Sequence, residues 1–254
     1  KKIRSDENIK PPAARNLGVE HTSAKYIAFL DADDVFLENR LKSQVHFLEE
    51  NKNISYVGSV GFIHRFRKTF HFIPPIVKET SPESNLNKAH VLPLSVKEKI
   101  CFTYAYHSCG FTVKRTNFLK IGGFDPSLRW GEEWDMQIRL AQLGPVGYVS
   151  VRGYRYIQRE GSITQTQDPQ KHISKARIME KALKLNNDLT NAGRWKIKTM
   201  RRDAMLLAAQ LYYETKHDAK KAWSLATKTL LESPSIWGLR STIRYSLAML
   251  CGRH

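Results

Sequence analysis

The chain has 254 residues, of which 41% are hydrophobic and 26% charged, with a formal net charge of +17. That length suits one large domain, or one domain with a helical appendage, and the composition excludes a fibrous or wholly disordered chain. No apolar run reaches the roughly 18 residues needed to cross a bilayer, and no signal peptide is visible. Cys101, Cys109 and Cys251 are unpatterned, which argues against a disulfide framework or a zinc site and is consistent with a reducing cytosol. The positive charge is uneven, because from Lys171 onward 17 Lys and Arg face 6 Asp and Glu. Such a surface attracts nucleic acid, anionic lipid or anionic substrates. The opening Lys1-Lys2-Ile3-Arg4 lacks an initiator Met and reads as the interior of a longer chain.

Residues 1–12 are polar and end in Pro11-Pro12, after which 13–19 should form a short helix carrying Arg15 and Asn16. The apolar run Tyr26-Ile27-Ala28-Phe29-Leu30 has the length of a buried strand and leads into Asp31-Ala32-Asp33-Asp34. Alternation along an extended segment turns Asp31 and Asp33 to one side. Two carboxylates that close repel unless something positive lies between them, and a divalent cation with a diphosphate would serve. Capping of the following helix accounts for one of these acids but not for three. Leu37, Leu41, Val45 and Leu48 predict an amphipathic helix over 36–50, and the stretch 54–63 a strand with a bend or bulge at its glycines.

Residues 64–94 are the least regular part, rich in basic and aromatic residues and prolines, and loops this long are usually functional or mobile. The spacing of His64, His71 and His90 within it matches no metal pattern. A strand is expected over 108–113, a helical turn to Lys120, and then Gly122-Gly123-Phe124-Asp125. The second acidic cluster, Trp130-Gly131-Glu132-Glu133-Trp134-Asp135, opens a helix that Gly144-Pro145 stops. Acids in a first helical turn suit the macrodipole, and the flanking tryptophans offer faces for a sugar ring or base. Residues 146–151 read as a strand, 152–159 as a basic and aromatic segment, and Gly161-Ser162-Ile163-Thr164 as the close of the domain. Helices are then expected over 171–189, 194–215, 218–232 and 235–250, the last with Ile236, Trp237, Leu239, Ile243, Leu247 and Leu250 among Arg240 and Arg244. That stripe suits either docking on the preceding helices or a membrane surface.

Four motifs in order carry a resemblance: Ala14-Arg15-Asn16-Leu17-Gly18, then Tyr26 to Asp34, then Gly122-Gly123-Phe124-Asp125, then Gly131 to Met136. Together they resemble glycosyltransferase family 2, whose members are inverting enzymes of the GT-A fold, and Arg155 to Thr164 resembles the segment closing that catalytic domain. The resemblance covers about residues 10–165. It implies an α/β fold, a GT-A Rossmann-like mixed sheet incomplete at its N-terminus, over residues 1–168, followed by an all-helical basic extension over 169–254. The strand, helix and second strand with which the family begins are absent from this sequence, so a truncated domain is expected.

By position, the resemblance places Asp31 and Asp33 at the family's DXD motif. Asp33 would ligate Mg²⁺ or Mn²⁺, and Asp31 would face the ribose or the metal's shell. Glu133 falls at the catalytic base, with Asp135 able to share that role. Arg15 and Asn16 would lie near the nucleotide sugar, and Trp130 or Trp134 would wall the sugar or acceptor site. The family usually has Asp where this chain has Glu133, and many relatives have a metal-holding His where it has Arg159. An arginine there would bind the diphosphate instead.

The expected activity is transfer of a sugar from a nucleoside diphosphate sugar to a hydroxyl of a cell-surface polysaccharide, lipopolysaccharide or lipid-linked glycan. The enzyme would be cytoplasmic, with peripheral contact at the inner face of the membrane through its C-terminal helices. The alternative is an inactive glycosyltransferase fragment serving as a basic membrane- or nucleic-acid-binding module, although no nucleic-acid-binding motif appears. A phosphatase using Asp31 and Asp33 lacks its downstream lysine and second acidic pair.

Overall fold

The computed structural model describes residues 2–65, 68–80, 88–159 and 166–250. The chain forms two compact units, Lys1–Ser162 and Ile163–His254. The expected closing segment Gly161 to Thr164 lies outside the described residues.

The first unit is built on a seven-stranded sheet of β1 (Tyr26–Ala28), β2 (Val35–Phe36), β3 (Tyr56–Arg65), β4 (Lys68–Phe72), β5 (His90–Val91), β6 (Phe111–Lys114) and β7 (Val146–Gln158). The main order is β1-β6-β3-β7-β2, with β4 also pairing β3 and β5 pairing β7. β3 and β7 run parallel at the centre, and every other pair is antiparallel. Their register slips around Ser59, Val60 and Gly61, so the bulge expected from the glycines is present. Gly58 is required there because a Cβ would stand 2.1 Å from the Tyr106 ring.

Around this sheet lie α1 (Lys10–Glu20), α2 (Arg40–Glu50), α3 (Pro75–Thr80), α4 (Val96–Ile100), α5 (Arg115–Lys120) and α6 (Glu132–Leu140). Phe47 and Leu48 of α2 bury against Ile54, Val57 and Val149. The expected helix over 36–50 therefore starts later, because Val35 and Phe36 pair with Arg155 and Tyr154 as a short strand. Two further expectations are corrected. The irregular 64–94 stretch contains β4 and α3, and β7 runs on to Gln158 instead of ending at Val151. Four of the five β4 residues are exposed, so no buried face wrote a period of two into that sequence.

The side chains that steer the site are packed beneath β1. Phe29 lies 5.0 Å from Phe124, 5.7 Å from Phe118 and 6.1 Å from Phe111, ring centre to ring centre. This cluster fixes where the chain leaves β1 and turns through Asp31 to Asp34, a turn closed by the Asp34 amide donating to the Asp31 carbonyl at 3.0 Å. Burying four phenyl rings is worth several kcal/mol, at about 1.5–3 kcal/mol for each side chain.

The second unit consists of α7 (Pro169–Leu185), α8 (Asn191–Lys216), α9 (Ala219–Glu232) and α10 (Ile236–Leu250). Asp168, Thr190 and Asp218 each accept an amide hydrogen bond from the first turn of the helix they precede, which explains the breaks. One cluster of its core has Leu206, Ala209, Ala222 and Ala226 closed around Tyr245, and Ile178, Met179 and Ile197 are buried as well. No described helix is long and apolar enough to cross a membrane.

The turn Ile121 to Phe124 gives a stability test. Gly122 and Gly123 have φ of +78° and +70°, and a Cβ on Gly123 would lie 2.6 Å from Asn16 Oδ1, while one on Gly122 meets nothing within 4 Å. Gly122→Ala should cost about 1 kcal/mol and Gly123→Ala about 2 kcal/mol or more, read from urea denaturation midpoints. Equal costs would show that the Asn16 contact carries no energy.

Candidate active site

Arg15 projects from α1 between two segments far apart in the sequence. Its Nη2 donates to Asp31 Oδ1 at 2.6 Å and its Nη1 to Glu132 Oε1 at 2.8 Å. The side chains of Arg15 and Glu132 are only 13% and 12% exposed, so these are charge-assisted bonds in a partly dehydrated setting. Burial works against the guanidinium's charge, but Asp31, Glu133 and Glu132 outweigh it and raise its pKa above the ordinary value. Ser108 Oγ donates to the other Asp31 oxygen at 3.2 Å. The acids that end β1 and those that open α6 thus face each other across one arginine.

Glu133 lies next to this bridge in the first turn of α6. The Tyr104 hydroxyl donates to its Oε1. Burial, then the like charge of Glu132, raise its pKa to about 7, against the pull of the Tyr104 bond and of Arg15. A carboxylate so placed is about half ionised at neutral pH, and its ionised form is basic enough to take a proton, the balance a general base needs. Tyr104 is held in place from behind. Gln137 of α6 brackets the backbone of Tyr106, accepting its amide at 2.9 Å and donating to its carbonyl at 2.7 Å. His107 stacks on Tyr156 at 4.6 Å and meets Phe72 and Tyr104 at 4.8 and 5.4 Å, and burial lowers its pKa to about 4, so it is neutral here.

The three acids after β1 divide their tasks. Asp34 is buried and accepts the Ile157 amide at 3.0 Å, which joins the turn to β7. Burial raises its pKa. Asp33 is partly exposed, and no hydrogen bond or ion pair holds it among the described residues. Among the described residues no group of three or more His, Cys, Asp or Glu could hold a metal by protein atoms alone. One uncommitted carboxylate fits a cation such as Mg²⁺ that takes its other ligands from substrate phosphates and water. A groove of about 370 Å³ runs beside β1 and is lined by Arg15, Tyr26, Phe29 and Asp31 among others.

Several expected site residues hold structure instead. Both ends of the Asn16 amide bond the Phe124 backbone, at 2.8 and 2.9 Å, so Asn16 clamps the glycine turn. Asp135 is sealed at 1% exposure and bonded to Arg139 Nε and Nη2 at 2.9 and 2.6 Å, which corrects the expectation that it shares the base's role. Trp130 is 9% exposed with the Arg129 guanidinium 4.7 Å above its ring, so it is part of the core and not an open wall. Trp134 is half-buried and donates its indole N–H to the Ile100 carbonyl at 2.6 Å. Arg159 stands exposed just beyond β7, and the Arg15 bonds do not include it.

Glu132, Tyr104 and Ser108 were not singled out from the sequence. Glu132 could have been found as the acid beside Glu133. Tyr104 and Ser108 belong to an aperiodic segment whose meaning appears only when it packs against α6.

The sequence model of the family described as Glycosyl transferase family 2 matches residues 1–109. An uncharacterized glycosyltransferase of Rickettsia bellii is 54% identical over 48 residues, which are 19% of this chain and 7% of the relative. The minor teichoic acid biosynthesis protein GgaB of Bacillus subtilis is 25% identical over 226 residues, 87% of this chain and 22% of the relative. The chain thus spans under a quarter of the length of either relative. The crystal structure of S. aureus TarS 1-349 superposes with a TM-score of 0.58 at 13% identity, over 96% of this chain and 72% of that one, a likeness of fold.

Replacing Arg15 with Met would leave Asp31 and Glu132 facing each other with no cation between them. The variant should lose about 3 kcal/mol of stability, and adding Glu132→Gln should recover part of that loss. Denaturant midpoints of the wild type, the single and the double variant check this; additive losses would mean that the bridge is energetically idle.

Proposed function

We propose that the chain is a glycosyltransferase of family 2 and that it transfers a sugar, with inversion, from a nucleoside diphosphate sugar to a hydroxyl of a cell-surface glycan. The observation that carries this reading is the convergence of Asp31, Glu132 and Glu133 on Arg15, beside a partly exposed Asp33. Residues 1–168 would form the catalytic domain and 169–254 a basic extension. The name of the Bacillus subtilis relative favours an envelope polymer of the teichoic acid kind as acceptor.

In this reading the donor occupies the groove beside β1, with its diphosphate toward Asp31 and Asp33. Mg²⁺ or Mn²⁺ bound by Asp33, with Asp31 close by, would supply the Lewis acid that neutralises charge building on the leaving diphosphate. Arg15 keeps Asp31 in place, and Arg159 would add a positive charge for the phosphates. Glu133 takes the proton of the acceptor hydroxyl as that oxygen bonds to the anomeric carbon. The bond from that carbon to the diphosphate oxygen breaks on the opposite face, so the configuration inverts. Tyr104 holds the Glu133 carboxylate in one orientation for this transfer. Trp134 remains the candidate to line the acceptor side. The enzyme would work at the cytoplasmic face of the membrane from which its acceptor grows.

Incorporation of label from a panel of nucleoside diphosphate sugars into cell-envelope acceptors tests the assignment. Glu133→Gln should lower the rate by about 10²-fold or more, Asp33→Asn should do likewise, and a chelator should abolish turnover that Mn²⁺ restores. Undiminished turnover in both variants would end the proposal.

A further inference from the structure

One side of α10 in the second unit is exposed among the described residues. α10 packs Gly238, Ser241, Tyr245 and Ala248 inward, against α8 and α9. On its opposite side Ile236, Leu239, Ile243, Leu247 and Leu250 are exposed, from 51% at Leu239 to 84% at Leu250. At about 100° per residue these five fall within an arc of about 80°, a continuous apolar stripe. Arg240 lies just outside one edge of that stripe and Arg244 beyond it, with Trp237 half-exposed on the same flank. No acid occurs after Glu232 in the chain. Contiguous exposed apolar surface of this kind marks an interaction site.

We propose that α10 lies in the plane of an anionic membrane surface, its apolar stripe in the acyl boundary and its arginines at the headgroups. Charge decides between the candidate occupants. A second copy of the chain would bring two strongly basic units together, each with 17 Lys and Arg against 6 Asp and Glu from Lys171 onward, and they would repel. An anionic bilayer reverses that sign and receives the leucines and isoleucines at the same time. Arg240 can reach the headgroups along its own aliphatic stem while its neighbours insert. Arg244 is tied only loosely to the protein, 3.7 Å from Glu214 and 5.1 Å above the Tyr213 ring, a surface pair that yields readily to a phosphate. The helix has 15 residues, which suits an interfacial segment and is too short to span a bilayer.

Co-sedimentation of the chain with vesicles tests this without any need for sugar transfer, so an inactive chain that still binds would leave the inference standing. Vesicles of phosphatidylcholine with phosphatidylglycerol should retain the chain at low salt, and pure phosphatidylcholine should retain it at least about tenfold less. The triple variant Leu239→Glu, Ile243→Glu, Leu247→Glu should lose binding while keeping its helical circular dichroism, since all three side chains point to solvent. Arg240→Ser, a milder change, should weaken binding and flatten its salt dependence. Wild-type retention of the triple variant would overturn the inference. So would equal retention on neutral vesicles, or a dimer that the triple variant dissolves while wild-type chain ignores both vesicles.

Discussion

A single guanidinium between three carboxylates holds the first unit's site together. Asp31 and Glu132 are bonded to Arg15, and Glu133 is close enough to raise the arginine's pKa along with them. Without that cation, acids from the end of β1 and the start of α6 would repel each other in a partly dehydrated setting. Burying such a group costs solvation, and the two bonds at 2.6 and 2.8 Å offset that cost through short, charge-assisted geometry. The site therefore depends on the tertiary fold, because Arg15 and Glu132 are 117 positions apart in the chain.

The rest of the scaffold serves to keep other polar groups out of competition with Glu133. Arg139 takes Asp135 and also donates to the Ile121 and Gly123 carbonyls at 2.7 Å, tying α6 to the glycine turn. Asn16 closes that turn from the α1 side. Gln137 fixes Tyr106, and through it the segment that presents Tyr104 to Glu133 and Ser108 to Asp31. Of the acids that open α6, Glu132 and Asp135 have cationic partners of their own. Glu133 is bonded to a neutral hydroxyl instead, and burial and the like charge of Glu132 raise its proton affinity.

How much of this was legible in the sequence depended on whether local pattern or tertiary contact defined each part. An apolar run entering an acidic turn could be read directly, and so could a helix opening on Glu132 and Glu133. The four C-terminal helices showed their periodicity and their breaks. Partners chosen across the fold could not be read: Asn16 looked like a ligand contact because nothing local shows that its amide reaches the Phe124 backbone. Trp130 and Asp135 looked available because adjacent residues in a helix start can point to opposite sides, one into the cleft and one into the core. The second half of β7, with Arg152 and Arg155 among tyrosines, reads as a polar segment until β3 is seen beside it.

The account depends most on the environment of Glu133, and its side-chain carboxyl can be observed directly. A carbon-13 NMR titration, with the resonance assigned by comparison with Glu133→Gln, would give the protonation midpoint of that one group. A midpoint near 7 is predicted, because the carboxylate sits dehydrated beside Glu132. A midpoint near the ordinary 4.5 would contradict it, showing Glu133 to be solvated and apart from the acids that Arg15 gathers.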